Sequence, residues 1–170
     1  MQQPFPILVV EDDPTDFFLL KRALEKNHID NPIHWIRDGL HAIDYLEGNG
    51  AFSDRKQHPL PKVIILDLKM PRLGGLELLD WIKSHSELSL LPVLIMSSSN
   101  LPEDVERAYE LGASSFFMKP STFEDLQKLT KSIHDYWVQC VEPEIPRRAG
   151  FDRNDRNNSC PPSISAEAAA

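Results

Sequence analysis

The sequence has little of what several protein classes require. Two of its 170 residues are cysteine, too few for a disulfide framework, and Cys140 and Cys160 share no metal-ligand spacing with a histidine. Basic residues are outnumbered, with 18 Lys plus Arg against 26 Asp plus Glu and a formal net charge of −8. Because binders of nucleic acids and anionic membranes need a basic surface, this balance argues against both classes.

Long apolar runs are also missing. No run approaches the ~20 residues that cross a bilayer. Residues 1–6 contain neither the cationic nor the apolar region of a signal peptide. The six histidines show no recognised metal spacing. We therefore expect a cytoplasmic protein in a reducing compartment.

Five short segments are predicted to be strands. Four are continuously apolar, namely Ile7–Val10, Val63–Leu66 and residues 93–96 and 116–118. Unbroken apolar runs are typical of strands that helices cover on both faces of a parallel sheet. A fifth segment, Ile33–Ile36, alternates between apolar and polar residues and suits an edge strand.

Amphipathic segments with helical spacing lie between these strands. Asp13, Asp38 and Ser121 are predicted to cap helices, and Asn100 is predicted to open one. Alternating strands and helices predict an α/β fold, a three-layer sandwich with a parallel sheet between two helical layers. Right-handed crossovers and five strands favour the flavodoxin-like order 2-1-3-4-5.

Composition changes twice along the chain. Residues 48–61 form a polar connection longer than the usual ~2–6 residues, so we expect it to carry a specific contact. The folded domain is predicted to span residues 5–141. Residues 142–170 are rich in Pro, Asn, Arg and Ser, and they are predicted to form a disordered tail.

Polar side chains follow four of the predicted strands. Glu11 and Asp12 follow the first strand, Asp67 the third, Ser97 the fourth and Lys119 the fifth. Ligands of such sheets bind at the carboxyl ends of the strands, so we expect these groups to converge. Clustered carboxylates repel one another unless a cation lies between them, and oxygen ligands suit Mg²⁺.

Phosphoryl transfer to a carboxylate is the chemistry that such a set predicts. Asp67 would attack the phosphorus in line, while Lys119 and Mg²⁺ neutralise charge on the transferred oxygens and Ser97 donates a hydrogen bond. A lone carboxylate after a strand is more often a turn residue or a helix cap, and we expect only that role of Asp13. Complementary groups at four strand ends favour a shared site over four separate caps.

Four motifs in this order resemble the receiver domains of two-component response regulators, which are similar to CheY in fold. The likeness spans about residues 5–138. The motifs are residues 10–13 (VEDD), 67–75 (DLKMPRLGG), 92–97 (PVLIMS) and 117–120 (FMKP). The resemblance implies that Asp67 is the phosphorylated residue. It also implies that Mg²⁺ is held by Glu11, Asp12, Asp67 and the backbone carbonyl of Lys69.

The same resemblance implies a switch. Ser97 and Lys119 would contact the phosphoryl group, and Ser97 and Phe116 would be the residues that move. Phe116 lacks the hydroxyl of the frequent tyrosine, so its movement would act through packing alone. Lys69 stands where asparagine is frequent, which suggests a cation near the acyl phosphate. Glu11 replaces the commoner aspartate and lengthens one metal-binding arm.

A narrower likeness is to phytochrome-associated, Rcp-type response regulators. It rests on residues 12–16 (DDPTD), residues 97–99 (SSS), the long connection before the third strand and a late Tyr-Trp pair. The resemblance implies a sensor histidine kinase as phosphoryl donor, with a phytochrome as one candidate, and an unknown downstream protein. We expect a stand-alone response regulator that signals by protein–protein contact and is not an enzyme.

The apolar stripe of the last helix predicts a homodimer. It continues to Tyr136, Trp137 and Val141, beyond what one small sheet can bury. We expect these three residues in a two-fold interface. The alternative is that Trp137 folds back onto its own domain and the protein is a monomer.

Two other function classes compete with a response regulator. A haloacid-dehalogenase-like phosphatase also forms an aspartyl phosphate, but it needs a second acid two residues after the nucleophile, where Lys69 stands. A small flavin-binding module needs a Ser-, Thr- or Gly-rich phosphate loop after the first strand. Glu11, Asp12 and Asp13 stand there and would repel a phosphate that lacks a metal.

Overall fold

The structure, a computed structural model, describes residues 5–139. Strands and helices alternate along this part of the chain, and a short 3₁₀ turn at Gly50–Phe52 lies in the long connection. The strands are β1 (Ile7–Val10), β2 (Ile33–Ile36), β3 (Val63–Leu66), β4 (Val93–Ser97) and β5 (Ser115–Met118). The helices are α1 (Pro14–Lys26), α2 (Gly39–Glu47), α3 (Gly75–Ser84), α4 (Pro102–Glu110) and α5 (Phe123–Gln139).

The strands form one parallel sheet in the order β2-β1-β3-β4-β5. The predicted flavodoxin-like topology is therefore confirmed. The chain reverses its direction of travel across the sheet between β1 and β3, and this switch point is where ligands of such folds bind.

Helices cover both faces of the sheet. Ile7 and Val9 of β1 pack toward α1 and α5, whereas Leu8 and Val10 pack toward α2, α3 and α4. Side chains alternate between the faces of a strand, so a strand between two helical layers must be apolar throughout. This explains the unbroken apolar runs of the central strands and confirms the predicted three-layer arrangement.

Strand β5 departs from that pattern. The prediction that residues 116–118 are covered on both faces holds only in part: Phe116 packs against one core and Phe117 against the other, but β5 is an edge strand with a single neighbour. Ser115, Phe116 and Phe117 are only half-buried, and Met118 is 55% exposed.

Two of the predicted helix caps are confirmed. The Asp13 carboxylate accepts hydrogen bonds from the backbone N–H groups of Thr15 (2.6 Å) and Asp16 (3.4 Å) at the start of α1. The Asp38 carboxylate accepts from the N–H of His41 (3.0 Å) at the start of α2. Both caps satisfy backbone donors that have no partner inside the helix.

The other two caps lie one residue later than predicted. Leu101, not Asn100, precedes α4 and makes no side-chain cap. The hydroxyl of Thr122, not of Ser121, accepts from the N–H of Asp125 (3.2 Å) in α5 and donates to its carboxylate (2.8 Å). Thr122 therefore caps the start of α5, one position after the predicted Ser121.

The long connection makes a specific contact with the end of α2, as expected. The guanidinium of Arg55 donates to the carbonyl oxygens of Tyr45 and Leu46, both at 2.6 Å. The Tyr45 hydroxyl donates in turn to the carbonyl of Pro59 (2.8 Å). The two Arg55 bonds add a donor to carbonyls in the last turn of α2, where the pattern of bonds within the helix ends.

Some predictions concern residues outside the described range. Val141, the domain boundary at residue 141 and the disordered tail at 142–170 lie there and stay predictions. Among the helices of the described residues, none is long and apolar enough to cross a membrane.

Candidate functional site

Strand register brings two carboxylates to the switch point. Val10 of β1 is aligned with Leu66 of β3, so Glu11 and Asp67 leave adjacent strands at the same level. The N–H of Asp67 donates to the carbonyl of Val10 (3.0 Å). The indole N–H of Trp35 donates to the carbonyl of Glu11 (2.8 Å) and holds that backbone from the β2 side.

Three of the predicted residues form an acidic cluster. Glu11, Asp12 and Asp67 each offer a carboxylate oxygen, and these oxygens lie within 4.8 Å of one another. Glu11 is 6% exposed and Asp67 5% exposed, while Asp12 is half-buried. Burial raises the pKa of Glu11 to about 7, and the neighbouring charge of Asp67 adds to this effect. A set of hard oxygen donors with excess negative charge fits a divalent cation such as Mg²⁺.

Lys119 lies against this cluster, also as predicted. Ser97 of β4 is aligned with Met118 of β5, and the N–H of Lys119 donates to the carbonyl of Ser97 (2.8 Å). Its ammonium Nζ lies 2.8 Å from a Glu11 oxygen and 3.1 Å from a carboxylate oxygen of Asp67. A third carboxylate, that of Asp16, lies at 2.7 Å.

The acidic neighbours of Lys119 stabilise its charged ammonium form. Burial disfavours the ammonium form, but hydrogen bonds to Asp16 and Glu11 outweigh it and raise the pKa of Lys119 above its usual value. Lys119 is therefore a fixed cation beside Asp67, and an incoming phosphoryl oxygen would meet a positive charge there.

The two predicted switch residues lie in different surroundings. Ser97 is fully buried, and its hydroxyl oxygen accepts from the N–H of Ser99 (3.2 Å). Phe116 is half-buried against the core that α2, α3 and α4 cover. The backbone N–H of Phe116 donates to the hydroxyl of Tyr109 on α4 (3.2 Å).

The two ends of Lys69 contact different parts of the structure. Its backbone N–H donates to Asp67 (3.3 Å), but its ammonium pairs with the carboxylate of Asp104 on α4 (2.9 Å). Asp104 also accepts from the hydroxyl of Ser99. The ammonium of Lys69 is thus engaged with α4 in this structure.

Two contacts of the site were not predicted. Asp16 belongs to the DDPTD motif, but its contact with Lys119 was not predicted. It lies in the first turn of α1, a helix that starts beside the site. Trp35 lies in β2 and was given no role at the site. No local signal identifies its bond to Glu11, because that contact depends on the pairing of β1 with β2.

The residues of the predicted dimer interface are only partly described. Tyr136 lies on α5 and is 64% exposed. Trp137 lies within the helix range, and nothing is described of its side chain. The interface therefore stays a prediction.

A comparison with protein families gives one match that covers most of the chain. Residues 7–131 match the model of the response regulator receiver domain. The chain belongs to this receiver family. Its membership confirms the resemblance drawn from the four motifs, and it argues against the phosphatase and flavin alternatives.

Relatives of this receiver are found among curated proteins and solved structures. It is 37% identical over 140 residues to the "Probable methanogenesis regulatory protein FilR2" of Methanothrix harundinacea, covering 81% of this chain and 86% of that protein. It is 33% identical over 138 residues to the response regulator Rcp1 of Synechocystis, covering 81% of this chain and 92% of Rcp1.

Two crystal structures share the receiver fold closely. The Mn²⁺-bound form of Rcp1 matches with a TM-score of 0.74 at 33% identity, over 82% of this chain and 99% of that chain. The phosphorylated cyanobacterial phytochrome response regulator RcpA matches with a TM-score of 0.77 at 29% identity, over 83% and 99%. These similarities confirm the narrower likeness to Rcp-type regulators.

Proposed function

We propose that this protein is a response regulator that accepts a phosphoryl group on Asp67 and passes the signal on by protein–protein contact. One observation carries the proposal. Asp67, buried at the end of the central strand β3, lies 3.1 Å from the ammonium of Lys119 and within 4.8 Å of the Glu11 and Asp12 oxygens. A carboxylate between a fixed cation and a metal-binding pair is a suitable phosphoryl acceptor.

The proposed donor is a phosphohistidine of a sensor kinase. A carboxylate oxygen of Asp67 attacks the phosphorus and forms the new O–P bond, while the P–N bond breaks and the imidazole nitrogen keeps the electron pair. Lys119 pairs with a phosphoryl oxygen, and the hydroxyl of Ser97 donates to another after it turns from Ser99. The aspartyl phosphate later hydrolyses, so the protein is a switch rather than an enzyme with a free substrate.

Glu11, Asp12, Asp67 and the backbone carbonyl of Lys69 would hold Mg²⁺. When bound, the metal supplies positive charge for the transferred oxygens. Two observations support this assignment: the oxygen-only donor set of this chain and the Mn²⁺-bound form of the similar Rcp1.

Ser97 and Phe116 are proposed to carry the signal from the site to the surface. Ser97 is fully buried next to β5, and the backbone N–H of Phe116 donates to the hydroxyl of Tyr109 on α4. A movement of Ser97 toward the phosphoryl group would leave space that the Phe116 ring can fill. The change would then reach the surface of α4 and β5, where a downstream protein can detect it.

A phytochrome-type histidine kinase is the proposed partner. This proposal is supported by the similarity to RcpA, which is a cyanobacterial phytochrome response regulator. A kinase of this kind would transfer its phosphoryl group in the cytoplasm. The receiver domain is proposed to extend from residue 5 to residue 141.

Chemical phosphorylation tests the proposal. Acetyl phosphate with Mg²⁺ should add one phosphoryl group to the wild-type protein, measured as intact mass, and none to Asp67→Asn. The matched control is Asp13→Asn, which removes a neighbouring carboxylate but keeps a good helix cap, so it should be labelled like the wild type. Equal labelling of Asp67→Asn and wild type would overturn the assignment.

A further inference from the structure

Lys119 has one carboxylate partner that is not among the proposed metal ligands. Its ammonium contacts Glu11, Asp16 and Asp67 at 2.8, 2.7 and 3.1 Å. Glu11 and Asp67 belong to the oxygen set proposed to bind Mg²⁺. Asp16 belongs to the first turn of α1, and among the three contacts its distance is the shortest.

The position of Asp16 leaves its side chain available for this contact. The cap of α1 is supplied by the Asp13 carboxylate, which accepts from the backbone N–H of Asp16 itself. The N-terminal end of a helix favours a negative charge, so an ionised Asp16 is stable there. With 41% of its side chain exposed, Asp16 is no part of the core.

Metal binding poses a problem for Lys119. A divalent cation that takes up the oxygens of Glu11 and Asp67 competes with the ammonium for the same two partners. The Lys119 side chain is only 18% exposed, so water replaces lost partners poorly. A half-buried ammonium without a partner is costly, and that cost would weaken metal binding.

We propose that Asp16 is a positioning residue that keeps Lys119 paired while the metal is bound. The inference rests on the proposed function, because it takes Glu11, Asp12 and Asp67 as the metal ligands. When the metal takes up the oxygens of Glu11 and Asp67, Asp16 remains as a carboxylate partner of the ammonium, at 2.7 Å in this structure. Its negative charge also offsets the repulsion between the ammonium and the cation. The remaining N–H groups of Lys119 stay directed at the Asp67 side of the site.

The proposal ties α1 to the phosphorylation site. Lys119 follows β5, and Asp16 lies 103 residues earlier in the chain. A displacement of α1 that lengthens this contact would leave Glu11 and Asp67 as the carboxylate partners of the ammonium and would lower the affinity for the metal. The affinity for Mg²⁺ is therefore the quantity that reports on the contact.

Calorimetric titration with Mg²⁺ alone tests the proposal, without a kinase or a phosphoryl donor. Asp16→Asn should raise the dissociation constant about fivefold, as expected for the loss of one charge-assisted hydrogen bond at a partly exposed site. Asp16→Ala, which removes the acceptor altogether, should weaken binding at least as much. Asp13→Asn is the matched control, and it should change the dissociation constant less than about twofold because it removes a nearby charge without touching Lys119.

A double-mutant cycle separates positioning from a structural role. When Lys119→Gln is already present, Asp16→Asn should no longer change the Mg²⁺ affinity. Circular dichroism and a melt without metal check that each variant folds.

Three results would overturn the proposal: an unchanged affinity of Asp16→Asn, an equal effect of Asp13→Asn, or an effect that persists with Lys119→Gln. A wild-type protein that does not bind Mg²⁺ would overturn the proposed metal site as well. Wild-type binding together with an unaffected Asp16→Asn would overturn the role of Asp16 alone.

Discussion

Among single residues, Asp12 gives the most direct access to the metal site. It is the most exposed of the three clustered carboxylates, and its oxygen lies within 4.8 Å of those of Glu11 and Asp67. Mg²⁺ at a few times its dissociation constant should stabilise the fold by about 1 kcal/mol through mass action. We expect Asp12→Asn to lose most of this gain, because one ligand charge is removed. Denaturant melts with and without Mg²⁺ measure this increase in the free energy of unfolding. An undiminished increase in the variant would exclude Asp12 as a ligand.

His34 gives the fold a dependence on pH that is separate from the site. Burial lowers the pKa of His34 below its usual 6.5, and the neighbouring His58 lowers it further. Its ring also lies 5.5 Å, centroid to centroid, from that of Tyr45. Below pH 6.5 the unfolded chain takes up this proton more readily than the folded one. The contribution of His34 to stability is therefore present above that pH and lost as the pH falls through the folded pKa.

His34→Phe keeps an aromatic ring and removes the titration, so the free energy of unfolding should depend less on pH below about 6.5, where the unfolded chain takes up the proton more readily. The control is His28→Asn, at an exposed position with a φ of 56° that asparagine tolerates. The same measurement on this variant controls for the loss of a histidine elsewhere in the chain. An equal slope in His34→Phe and wild type would contradict the assignment.

At the scale of elements, α3 packs directly on the segment that holds Asp67. A Cβ atom on Gly75, the first residue of α3, would lie 2.2 Å from the carbonyl oxygen of Asp67 and 2.6 Å from the Cα of Leu68. Backbone atoms cannot move aside as a side chain can, so α3 or the Asp67 segment must shift. Gly75→Ala should lower the free energy of unfolding by about 1–3 kcal/mol.

The neighbouring glycine supplies a matched control. A Cβ on Gly74 would meet mainly the carboxylate of Glu77, at 2.6 Å, which is the end of a flexible side chain. We expect Gly74→Ala to cost less than about 1 kcal/mol. Urea unfolding of the two variants checks the difference, and equal losses would show that the close approach of α3 to Asp67 does not limit stability.

Helices and strands could be predicted from the sequence where the residue pattern of a short segment determines them. The central strands carry apolar residues on both faces, and the two aspartate caps precede helices in the usual way. The shifted starts of α4 and α5 show the limit of local pattern. The cap position before α4 is held by the apolar Leu101, and two hydroxyl residues, Ser121 and Thr122, stand side by side before α5, so residue type does not decide where either helix begins. The exposure of β5 follows from its place at the sheet edge, and a continuous apolar run does not reveal that place.

The site was predictable to the extent that strand ends converge. Glu11, Asp12, Asp67 and Lys119 meet because parallel order and register bring them together. The partners Asp16 for Lys119 and Asp104 for Lys69 were missed. They lie 103 and 35 residues away in sequence, and side-chain direction on α1 and α4 decides the contacts.

For the whole molecule, we predict a homodimer in which Tyr136, Trp137 and Val141 lie at the interface. Tyr136 is 64% exposed near the end of α5, and a two-fold contact would cover the same patch on both chains. Burial of a few hundred Å² of apolar surface at ~25 cal/mol per Å² provides several kcal/mol before the cost of association.

Sedimentation of wild type and Trp137→Ala, each with and without beryllofluoride, measures this association. The wild type should dimerise and the variant should dissociate at lower concentration. Beryllofluoride should shift the equilibrium only as far as the two states differ in affinity. A wild type that stays monomeric at tens of micromolar in both states would favour the alternative, in which Trp137 folds back onto its own domain.

The most direct measurement locates the phosphoryl group. The protein is phosphorylated with acetyl phosphate and Mg²⁺ and treated with borohydride, which reduces an acyl phosphate to an alcohol, and the modified residue is identified by peptide mass spectrometry. Asp67, between Lys119 and the Glu11–Asp12 pair, should be the reduced residue. Reduction at another carboxylate, or phosphorylation without any reducible aspartyl phosphate, would contradict the account.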